Sequence, residues 1–269
     1  MNSQFPNIAL LGRHEDIRVA EPMRTIAEHL TKAGINVLAS DRVELDLGAT
    51  RMKESQLCAK ADLVIAIGGD GTMLHASRLA RESGTPILGI NRGRLGFLAD
   101  VTPDEMIASV DRVLHGEYTR DTRMLLEARL IKESGEEKTA FALNDVVLKR
   151  HETGRMVDFS TQVDGVFVNT HSGDGLIVAT PTGSTAYSLS CGGPIISPQL
   201  DAVVVVPICP HTLTDRPLVL PADRTIEVLL LERHDSAASI TIDGRSMGRI
   251  RPADRLVISA ADHRITLIH

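Results

Sequence analysis

A short glycine turn between a predicted strand and a predicted helix constrains this chain more than any other stretch. The apolar, β-branched residues 63–67 predict a buried strand of a parallel sheet. Residues 68–72 (GGDGT) follow, and the next residues carry apolar side chains at helical spacing up to Gly84. This order places the turn at the carboxyl end of a parallel strand, where open α/β sheets bind ligands.

The turn combines features of a phosphate-binding loop with one acidic side chain. Its glycines allow close approach of a phosphate, and the helix behind it offers free N–H groups and a positive dipole end. A carboxylate is unfavourable beside phosphates, which indicates that Asp70 takes a hydroxyl proton or helps to hold a metal ion. The alternative is that Asp70 only caps the helix. A P-loop lysine is missing, and Leu74 stands where a dinucleotide-binding fold would have its third glycine.

Composition narrows the class of protein and its partners. The chain has 269 residues, enough for one large or two modest domains, and its 43% apolar content supports a sizeable core. The net charge of −6 argues against nucleic-acid binding, so local arginines and backbone amides must hold any anionic ligand. The 3 cysteines lack metal-ligand spacing, which favours reduced thiols in a cytoplasmic protein. No signal peptide or membrane-spanning run is seen, so no membrane partner is expected.

The pattern of predicted elements changes near residue 120. Before that point, strands alternate with helices, which is typical of βαβ units and a parallel sheet. Beyond it, apolar and polar residues alternate, and Asp164-Gly165 is a strong hairpin signal. We predict an α/β nucleotide-binding domain at residues 1–119 and a β-rich, antiparallel, sandwich-like dinucleotide-binding domain at 120–250. The C-terminal tail, residues 251–269, is predicted to return to the first domain.

Two helix starts follow from local signals in the first half. Residues 102–105 (TPDE) have the form of a capping box with proline at the first helical position, and the helix should stop at Gly116. A second helix is predicted around Met52 to Lys60, leading into the buried strand before Asp70.

Two polar stretches in the second half hold candidate ligand-binding residues. Asn144 and Asp145 precede the predicted strand 146–148 and are candidates for binding ribose hydroxyls; a turn or edge feature is the alternative. The hydroxyl-rich residues 180–188 follow a predicted strand and open a short helix. Their N–H and O–H groups can surround a phosphate or a sugar, and an elaborate helix N-cap is the alternative.

Two histidines lie beside candidate stretches. His75 follows Asp70 on the predicted helix and either faces solvent or reaches a ligand. His211 lies in a Pro-His-Thr sequence, and a structural role is open for it.

Taken together, these stretches resemble the bacterial NAD kinase family. The motifs occur in order at residues 68–72, 91–97, 144–145, 174–175, 180–188 with 192–194, and 210–212 with 216–217. The first motif is shared with diacylglycerol-kinase-like and phosphofructokinase-like enzymes. The combination of the threonine-rich motif, Asn144 and the proline-histidine motif is specific to the family. The resemblance covers nearly the whole chain. It implies transfer of the γ-phosphoryl group of ATP to the 2′-hydroxyl of the adenosine ribose of NAD, with a divalent cation, usually Mg²⁺.

The resemblance also implies residue roles. Asp70 would be the general base, Asn144 and Asp145 would hold ribose hydroxyls, Phe97 would lie near the adenine, and Asp174 near the nicotinamide end. The residues implied to bind NAD are Asp70, Gly71, His75, Phe97, Asn144, Asp145, Arg155, Ser172, Asp174, Thr185, Ala186, Tyr187, Ser188, Ser190 and Arg245. The phosphate or ATP loop is Gly68, Gly69, Gly71 and Thr72, and no metal ligand is assigned.

Two departures from the family pattern concern the dinucleotide site. Many members have glutamate where this chain has Asp145, which shortens the reach by one methylene group. Many have glutamine where this chain has Arg245, which either strengthens contact with a phosphate or faces solvent. The family further implies a homodimer or homotetramer in which a neighbour helps to build the site.

Two other functions remain open at this stage. The first is a lipid or sugar kinase of the same superfamily, against which the motif at Thr185 argues. The second is a non-catalytic NAD(P)-binding sensor, and the presence of Asp70 favours the enzyme over it.

Overall fold

The computed structural model describes residues 4–93, 96–150, 156–212, 214–232 and 237–269. The chain divides into two compact units: unit 1 comprises Met1–Thr122 with His263–His269, and unit 2 comprises Arg123–Asp262. These divisions follow Thr122 and Asp262, whereas the sequence pattern placed them at 119/120 and 250/251. Within the described ranges, no helix is both long and apolar enough to span a membrane.

Unit 1 is built on a parallel sheet. Its strands are β1 (Asn7–Gly12), β2 (Asn36–Ser40), β3 (Thr50–Met52), β4 (Leu63–Ile67) and β5 (Ile87–Ile90), and its helices are α1 (Ile17–Lys32), α2 (Glu54–Lys60), α3 (Asp70–Ala80) and α4 (Met106–Leu114). The order is β5-β4-β1-β2-β3, with all neighbours parallel. Leu267 and Ile268, near the end of the chain, pair in parallel with the other edge of β5.

Burial of the central strands explains the all-parallel arrangement. All five positions of β4 are buried, as expected for a parallel strand with both faces covered by helices. On α1, the buried residues Val19, Met23, Ile26 and Leu30 recur at helical spacing and form the face that packs into the core. Since β1, β4 and β5 are parallel neighbours, their carboxyl ends lie along one edge of the sheet.

Both predicted helices of this unit are present and end as expected, at Lys60 and Leu114, but their first turns differ from the prediction. The Thr102 hydroxyl donates to Glu105 Oε2 at 2.8 Å and caps no backbone N–H. A 3₁₀ turn, Pro103–Glu105, therefore precedes α4 instead of its first α-helical turn. Met52 ends strand β3, which pairs with β2, so α2 begins only at Glu54. In the second case tertiary strand pairing outweighs local helix propensity.

Unit 2 is β-rich. Its strands, of which β6 begins and β17 ends in unit 1, are β6 (Arg120–Ile131), β7 (Glu137–Ala142), β8 (Asp145–Arg150), β9 (Val157–Val163), β10 (Val166–Gly173), β11 (Gly175–Ala179), β12 (Ala202–Ile208), β13 (Leu218–Pro221), β14 (Ile226–Leu230), β15 (Ala238–Ile242), β16 (Arg245–Ile250) and β17 (Arg255–Ile268). A 3₁₀ turn, Thr182–Thr185, leads into the short helix α5 (Tyr187–Ser190).

The strands of unit 2 form two antiparallel layers around one core. One layer has the order β13-β12-β11-β8-β15-β16, and the other contains β10-β9-β14-β17 with β6 and β7 attached. Apolar side chains from both layers pack together, with Phe159 wholly buried among them. The Asp164-Gly165 turn joins β9 to β10 with φ angles of +50° and +76°, which confirms the predicted hairpin. The predicted fold class, a parallel α/β part and an antiparallel sandwich-like part, is confirmed.

We predict that Gly175→Ala destabilises the protein strongly. A Cβ at Gly175 would lie 2.0 Å from the carbonyl oxygen of Leu148 on the paired strand β8, so the backbone would have to move. Overpacking of this kind costs about 1–3 kcal/mol or more. The matched control is Gly34→Ala, since Gly34 also has positive φ but nothing within 4 Å of its added Cβ. Urea unfolding should show a larger loss of unfolding free energy for Gly175→Ala than for Gly34→Ala, and equal losses would contradict the steric explanation.

Candidate active site

The glycine turn after β4 is held by backbone hydrogen bonds. The Gly68 N–H donates to the Ile90 carbonyl at 2.8 Å, and the Thr72 N–H donates to the Gly69 carbonyl at 2.8 Å. A Cβ at Gly68 would lie 2.2 Å from Thr72 Oγ1, so only glycine fits there. Gly69 is the N-cap of α3 and Asp70 is its first residue. The turn therefore presents helix N–H groups and one carboxylate at the carboxyl edge of the sheet.

Asp70 is fixed by the loop that follows β5 rather than by its own helix. Its Oδ1 accepts the Leu98 N–H at 3.2 Å, and its Oδ2 accepts the Phe97 N–H at 3.4 Å. A Cβ at Gly96 would lie 2.2 Å from Asp70 Oδ1, so this loop approaches the carboxylate closely. Asp70 is an acidic residue in the first turn of α3, and its carboxylate bonds to these two loop N–H groups. The Phe97 ring itself is exposed.

His75 has partners at both ring nitrogens. Its Nε2 lies 3.1 Å from Glu54 Oε1 on α2, and its Nδ1 lies 2.7 Å from an Arg78 guanidinium nitrogen. The side chain is half-buried between these groups. A ligand that used either nitrogen would have to replace one of these contacts.

Asp243 organises the segment that carries Asn144 and Asp145. Its Oδ1 accepts the N–H groups of Asn144 at 2.8 Å and Asp145 at 3.1 Å, and its Oδ2 accepts the Leu143 N–H at 2.8 Å. Asp243 and Gly244 have φ angles of +48° and +75° and form the hairpin turn between β15 and β16. Sequence reasoning missed this role. An Asp-Gly pair between alternating runs signals the turn, but not the three distant N–H donors.

Two neighbouring carboxyl groups, Asp145 and Asp243, are costly to ionise here. Burial, and secondly the charge of Asp243, raises the pKa of Asp145 to about 7. Burial also raises the pKa of Asp243, although the three N–H donors act in the opposite direction. Asp145 is buried, at 6% exposure, and is the first residue of β8. The segment therefore offers an acid that titrates near neutral pH beside an amide side chain.

The hydroxyl-rich turn after β11 packs directly on the backbone of the same segment. Thr180 Oγ1 donates to the Leu143 carbonyl at 2.5 Å and accepts the Gly183 N–H at 3.0 Å. The Thr180 N–H donates to the Asn144 carbonyl at 2.9 Å. A Cβ at Gly183 would lie 2.0 Å from that carbonyl oxygen, so only glycine allows this contact. The backbone around Asn144 is thus held on its N–H side by Asp243 and on its carbonyl side by this turn.

Arg123 is a second residue that sequence reasoning missed. Its guanidinium, buried at 7% exposure, donates to Thr182 Oγ1 at 3.1 Å. A buried guanidinium supplies fixed positive charge to the base of the hydroxyl-rich turn. No local sequence signal marks it, because Arg123 lies in an ordinary strand pattern far from residue 182.

The residues from 185 to 190 differ in accessibility. Thr185 and Ala186 are half-buried, and Tyr187 and Ser190 are exposed. Lys149 Nζ lies 6.0 Å from the centre of the Tyr187 ring. Ser188 is wholly buried and its Oγ has no hydrogen-bond partner, so a ligand can reach it only after local movement.

The remaining predicted site residues lie at strand ends of unit 2. Asp174 precedes β11 and pairs with Arg150, whose Nε lies 3.1 Å from Asp174 Oδ1. Ser172 is half-buried on β10, and its carbonyl accepts the N–H of the exposed His211 at 2.8 Å. Arg245 is exposed at the start of β16. Arg155 lies outside the described residues.

No ready-made metal cage is present in the described ranges of the chain. No group of three or more His, Cys, Asp or Glu side chains there could hold a metal ion. The chemistry on offer is therefore a fixed carboxylate in a glycine turn in unit 1, and a hydroxyl- and amide-rich segment with a buried acid in unit 2.

Comparison with protein families gives two matches that follow the two halves of the chain. Residues 8–118 match the model of the ATP-NAD kinase N-terminal domain, and residues 143–269 match that of the ATP-NAD kinase C-terminal domain. The NAD kinase of Aromatoleum aromaticum is 40% identical, over 100% of this chain and 90% of its own length. The NAD kinase of Nitrosococcus oceani is 39% identical, over 100% and 93%.

Solved structures agree with these matches. The crystal structure of yeast NADH kinase complexed with NADH aligns with a TM-score of 0.91 and 26% identity, over 100% of this chain and 84% of that one. An NAD kinase from Archaeoglobus fulgidus, in complex with ATP, shares the fold with a TM-score of 0.75 and 24% identity, over 97% and 92%. Since both domain models match and relatives near 40% identity span the full chain, this chain belongs to the NAD kinase family.

Proposed function

We propose that this protein transfers the γ-phosphoryl group of ATP to the 2′-hydroxyl of the adenosine ribose of NAD, producing NADP. The carrying observation is the Asp70 carboxylate, which two loop amides hold inside a glycine turn at a helix N-terminus. Phosphoryl transfer depends mainly on positioning and charge stabilisation, with one acid accepting the proton of the attacking hydroxyl. A fixed carboxylate beside N–H groups that can donate hydrogen bonds to a phosphate meets that requirement.

Asp70 is the general base in this proposal. It takes the proton of the ribose 2′-hydroxyl while that oxygen bonds to the γ-phosphorus and the bond to ADP breaks. Its two N–H donors occupy one lone pair on each oxygen, so each oxygen keeps another for the incoming proton. Gly68, Gly69, Gly71 and Thr72 leave the backbone open to the phosphates.

Residues of unit 2 bind the dinucleotide. Asn144 and Asp145 form hydrogen bonds with ribose hydroxyls. Their backbone is kept in place by Asp243, which accepts their N–H groups, and by Thr180, whose N–H donates to the Asn144 carbonyl. Tyr187, exposed at the start of α5, offers a ring face for a base or the nicotinamide. Asp174 contributes a carboxylate whose direction Arg150 sets.

A divalent cation, Mg²⁺ in the first place, fits this site without a protein cage. Mg²⁺ is commonly held by one or two carboxylates together with substrate phosphates and water. Asp70 is the carboxylate that would contribute, and the ATP phosphates would supply most other ligands. When bound, the cation neutralises charge on the β- and γ-phosphates.

We predict that Asp70→Asn lowers kcat by roughly 10²–10⁴-fold, the usual contribution of a positioned base. The asparagine amide cannot take the proton. It also retains only one acceptor oxygen for the two N–H groups of Phe97 and Leu98, so a small loss in melting temperature should accompany the loss of rate. An NADP-forming assay with NAD, ATP and Mg²⁺ measures the rate, and calorimetry should show NAD affinity within about tenfold.

Asp104→Asn is the matched control, since Asp104 is an exposed acid in the 3₁₀ turn before α4. Near-normal kcat in Asp70→Asn would refute the assigned base. Phosphorylation of a lipid or a sugar in place of NAD would favour the superfamily alternative. NAD binding without any ATP-dependent turnover in the wild type would favour a sensor.

We predict that kcat/KM for NAD rises as the pH increases through about 7. Asp145, whose pKa burial and Asp243 raise to about 7, becomes the better acceptor for ribose hydroxyls when it ionises. The asparagine in Asp145→Asn cannot ionise, so this variant should lose the rise of kcat/KM for NAD with pH. Its KM for ATP should stay as in the wild type. Steady-state kinetics with NAD and with ATP across the pH range measure these constants. An unchanged rise of kcat/KM for NAD in the variant would place the titrating group elsewhere.

The same group makes stability depend on pH. An unfolded aspartate has a pKa of about 3.9, whereas folded Asp145 has a pKa of about 7, so the native state retains a proton that the unfolded chain loses. The free energy of unfolding should therefore fall, by on the order of a few kcal/mol, as pH rises from about 4 to about 7. Asp145→Asn should show a smaller fall in urea titrations at the two pH values, since Asp243, whose pKa burial also raises, remains.

We also propose that the protein is a homo-oligomer, a dimer or a tetramer. The strand β10 lies at the edge of its layer and exposes Val166, Phe167 and Val168, and an apolar open edge favours pairing with a second copy. Phe167→Lys should shift the mass measured by light scattering towards the monomer. Ile17→Lys, at an equally exposed apolar residue of unit 1, is the control and should leave it unchanged. A monomeric, fully active wild type would contradict the proposal.

The cytoplasm is the compartment we propose for this activity. Cys58, Cys191 and Cys209 are all free thiols, a state that persists in reducing compartments.

A further inference from the structure

A salt bridge joins the two loops that flank the glycine turn. Strand β4, which carries the turn, lies between β1 and β5, and their ends are in register: Gly12 pairs with Ile67, and Ile67 with Ile90. A Cβ at Gly12 would lie 2.9 Å from the Ile67 carbonyl oxygen, so the strand ends are close. The loop after β1 leads to Asp16, and the loop after β5 begins with Asn91 and Arg92. The Arg92 guanidinium lies 2.9 Å from Asp16 Oδ2, and this contact connects the loops on either side of β4.

Asp16 holds two guanidinium groups with one carboxylate. Arg18 donates from Nε to Oδ1 at 3.0 Å and from Nη2 to Oδ2 at 2.8 Å, while Arg92 also bonds to Oδ2. The three side chains carry one net positive charge. Arg18 is 63% exposed and Arg92 45% exposed, so solutes can reach both. A carboxylate between two arginine forks has the geometry that arginine also offers to phosphate.

The glycine turn has no cation of its own for a triphosphate. Residues 68–72 contain no Lys or Arg, and the single charged side chain there, Asp70, is negative. The whole chain carries a net charge of −6, so general electrostatic attraction does not bring in an anion. Arg92 lies on the loop after β5, and Arg18 lies in the first turn of α1, directly after the loop that follows β1. An exposed ion pair is weak and exchanges partners at little cost.

We propose that Arg92 and Arg18 bind the phosphates of ATP, and that the Asp16 carboxylate occupies this anion site until ATP displaces it. The inference rests on the proposed function for the identity of the anion. Asp16 then has two effects: it keeps both guanidinium groups oriented in the absence of nucleotide, and it competes with the phosphates for them.

Two substitutions on the same salt bridge separate this proposal from a structural role. Arg92→Gln should weaken ATP binding by roughly tenfold or more, as expected for loss of a charged hydrogen bond. Asp16 is also the N-cap of α1, where its Oδ1 accepts the Arg18 N–H at 3.1 Å. Asp16→Asn should strengthen ATP binding about twofold or more, because the competing charge is gone while asparagine caps a helix as well as aspartate does. A bridge that only stabilises the loops would make both substitutions weaken ATP binding.

Titration calorimetry with Mg²⁺-ATP alone, without NAD, measures these affinities, and KM for NAD should stay within about twofold in both variants. Arg24→Gln, at an exposed arginine on α1, is the matched control and should bind ATP as the wild type does. Unchanged affinity in Arg92→Gln, or losses of similar size in both bridge variants, would overturn the inference. If the two variants shift the ATP affinity in these opposite directions but the wild type forms no NADP, the proposed function fails and the anion site stands.

Discussion

Three hydrogen bonds to a single carboxylate determine the shape of the segment around Asn144 in unit 2. The Asp243 oxygens accept the N–H groups of three consecutive residues, Leu143 to Asp145, which lie about a hundred positions earlier in the chain. These N–H groups lie at the start of β8 in a partly buried place, and a buried N–H left unpaired costs about 1–3 kcal/mol. The side chains of Asn144 and Asp145 can point in a defined direction only because their backbone is held in this way.

The same arrangement carries an electrostatic cost. Two carboxyl groups, Asp145 and Asp243, lie in a poorly solvated place: burial raises both pKa values, and the charge of Asp243 further raises that of Asp145. The three N–H donors offset part of this cost for Asp243, but Asp145 lacks a comparable set of donors and titrates near 7. Strain and unfavourable charge that a fold keeps in spite of their cost are typical of functional sites. In the proposed function, the ribose hydroxyls of NAD supply what Asp145 lacks.

Sequence patterns predict the fold class and one half of the site well, because local signals define them. The run 63–67 and the glycines after it determine a strand, a turn and a helix within twenty residues, and the Asp164-Gly165 hairpin needs only its two positive φ angles. Asp243, Arg123 and Arg92 act on residues far away in sequence, so no window of neighbouring residues reveals them. The capping box at Thr102 fails for a local reason: the threonine hydroxyl donates to the Glu105 side chain, three residues away, and caps no backbone N–H.

The path of β17 has a consequence for how the protein is made. Its first residues pair with β14 in unit 2, but Leu267 and Ile268 pair with β5 in unit 1, and the His269 N–H donates to the Thr119 carbonyl. During synthesis, the ribosome releases β1 to β5 long before the strand that covers the outer edge of β5. The outer edge of β5 therefore stays unpaired until the whole of unit 2 has been translated. Long-range closure of this kind slows folding and leaves an apolar edge exposed in the nascent chain, which makes that edge a natural contact for chaperones.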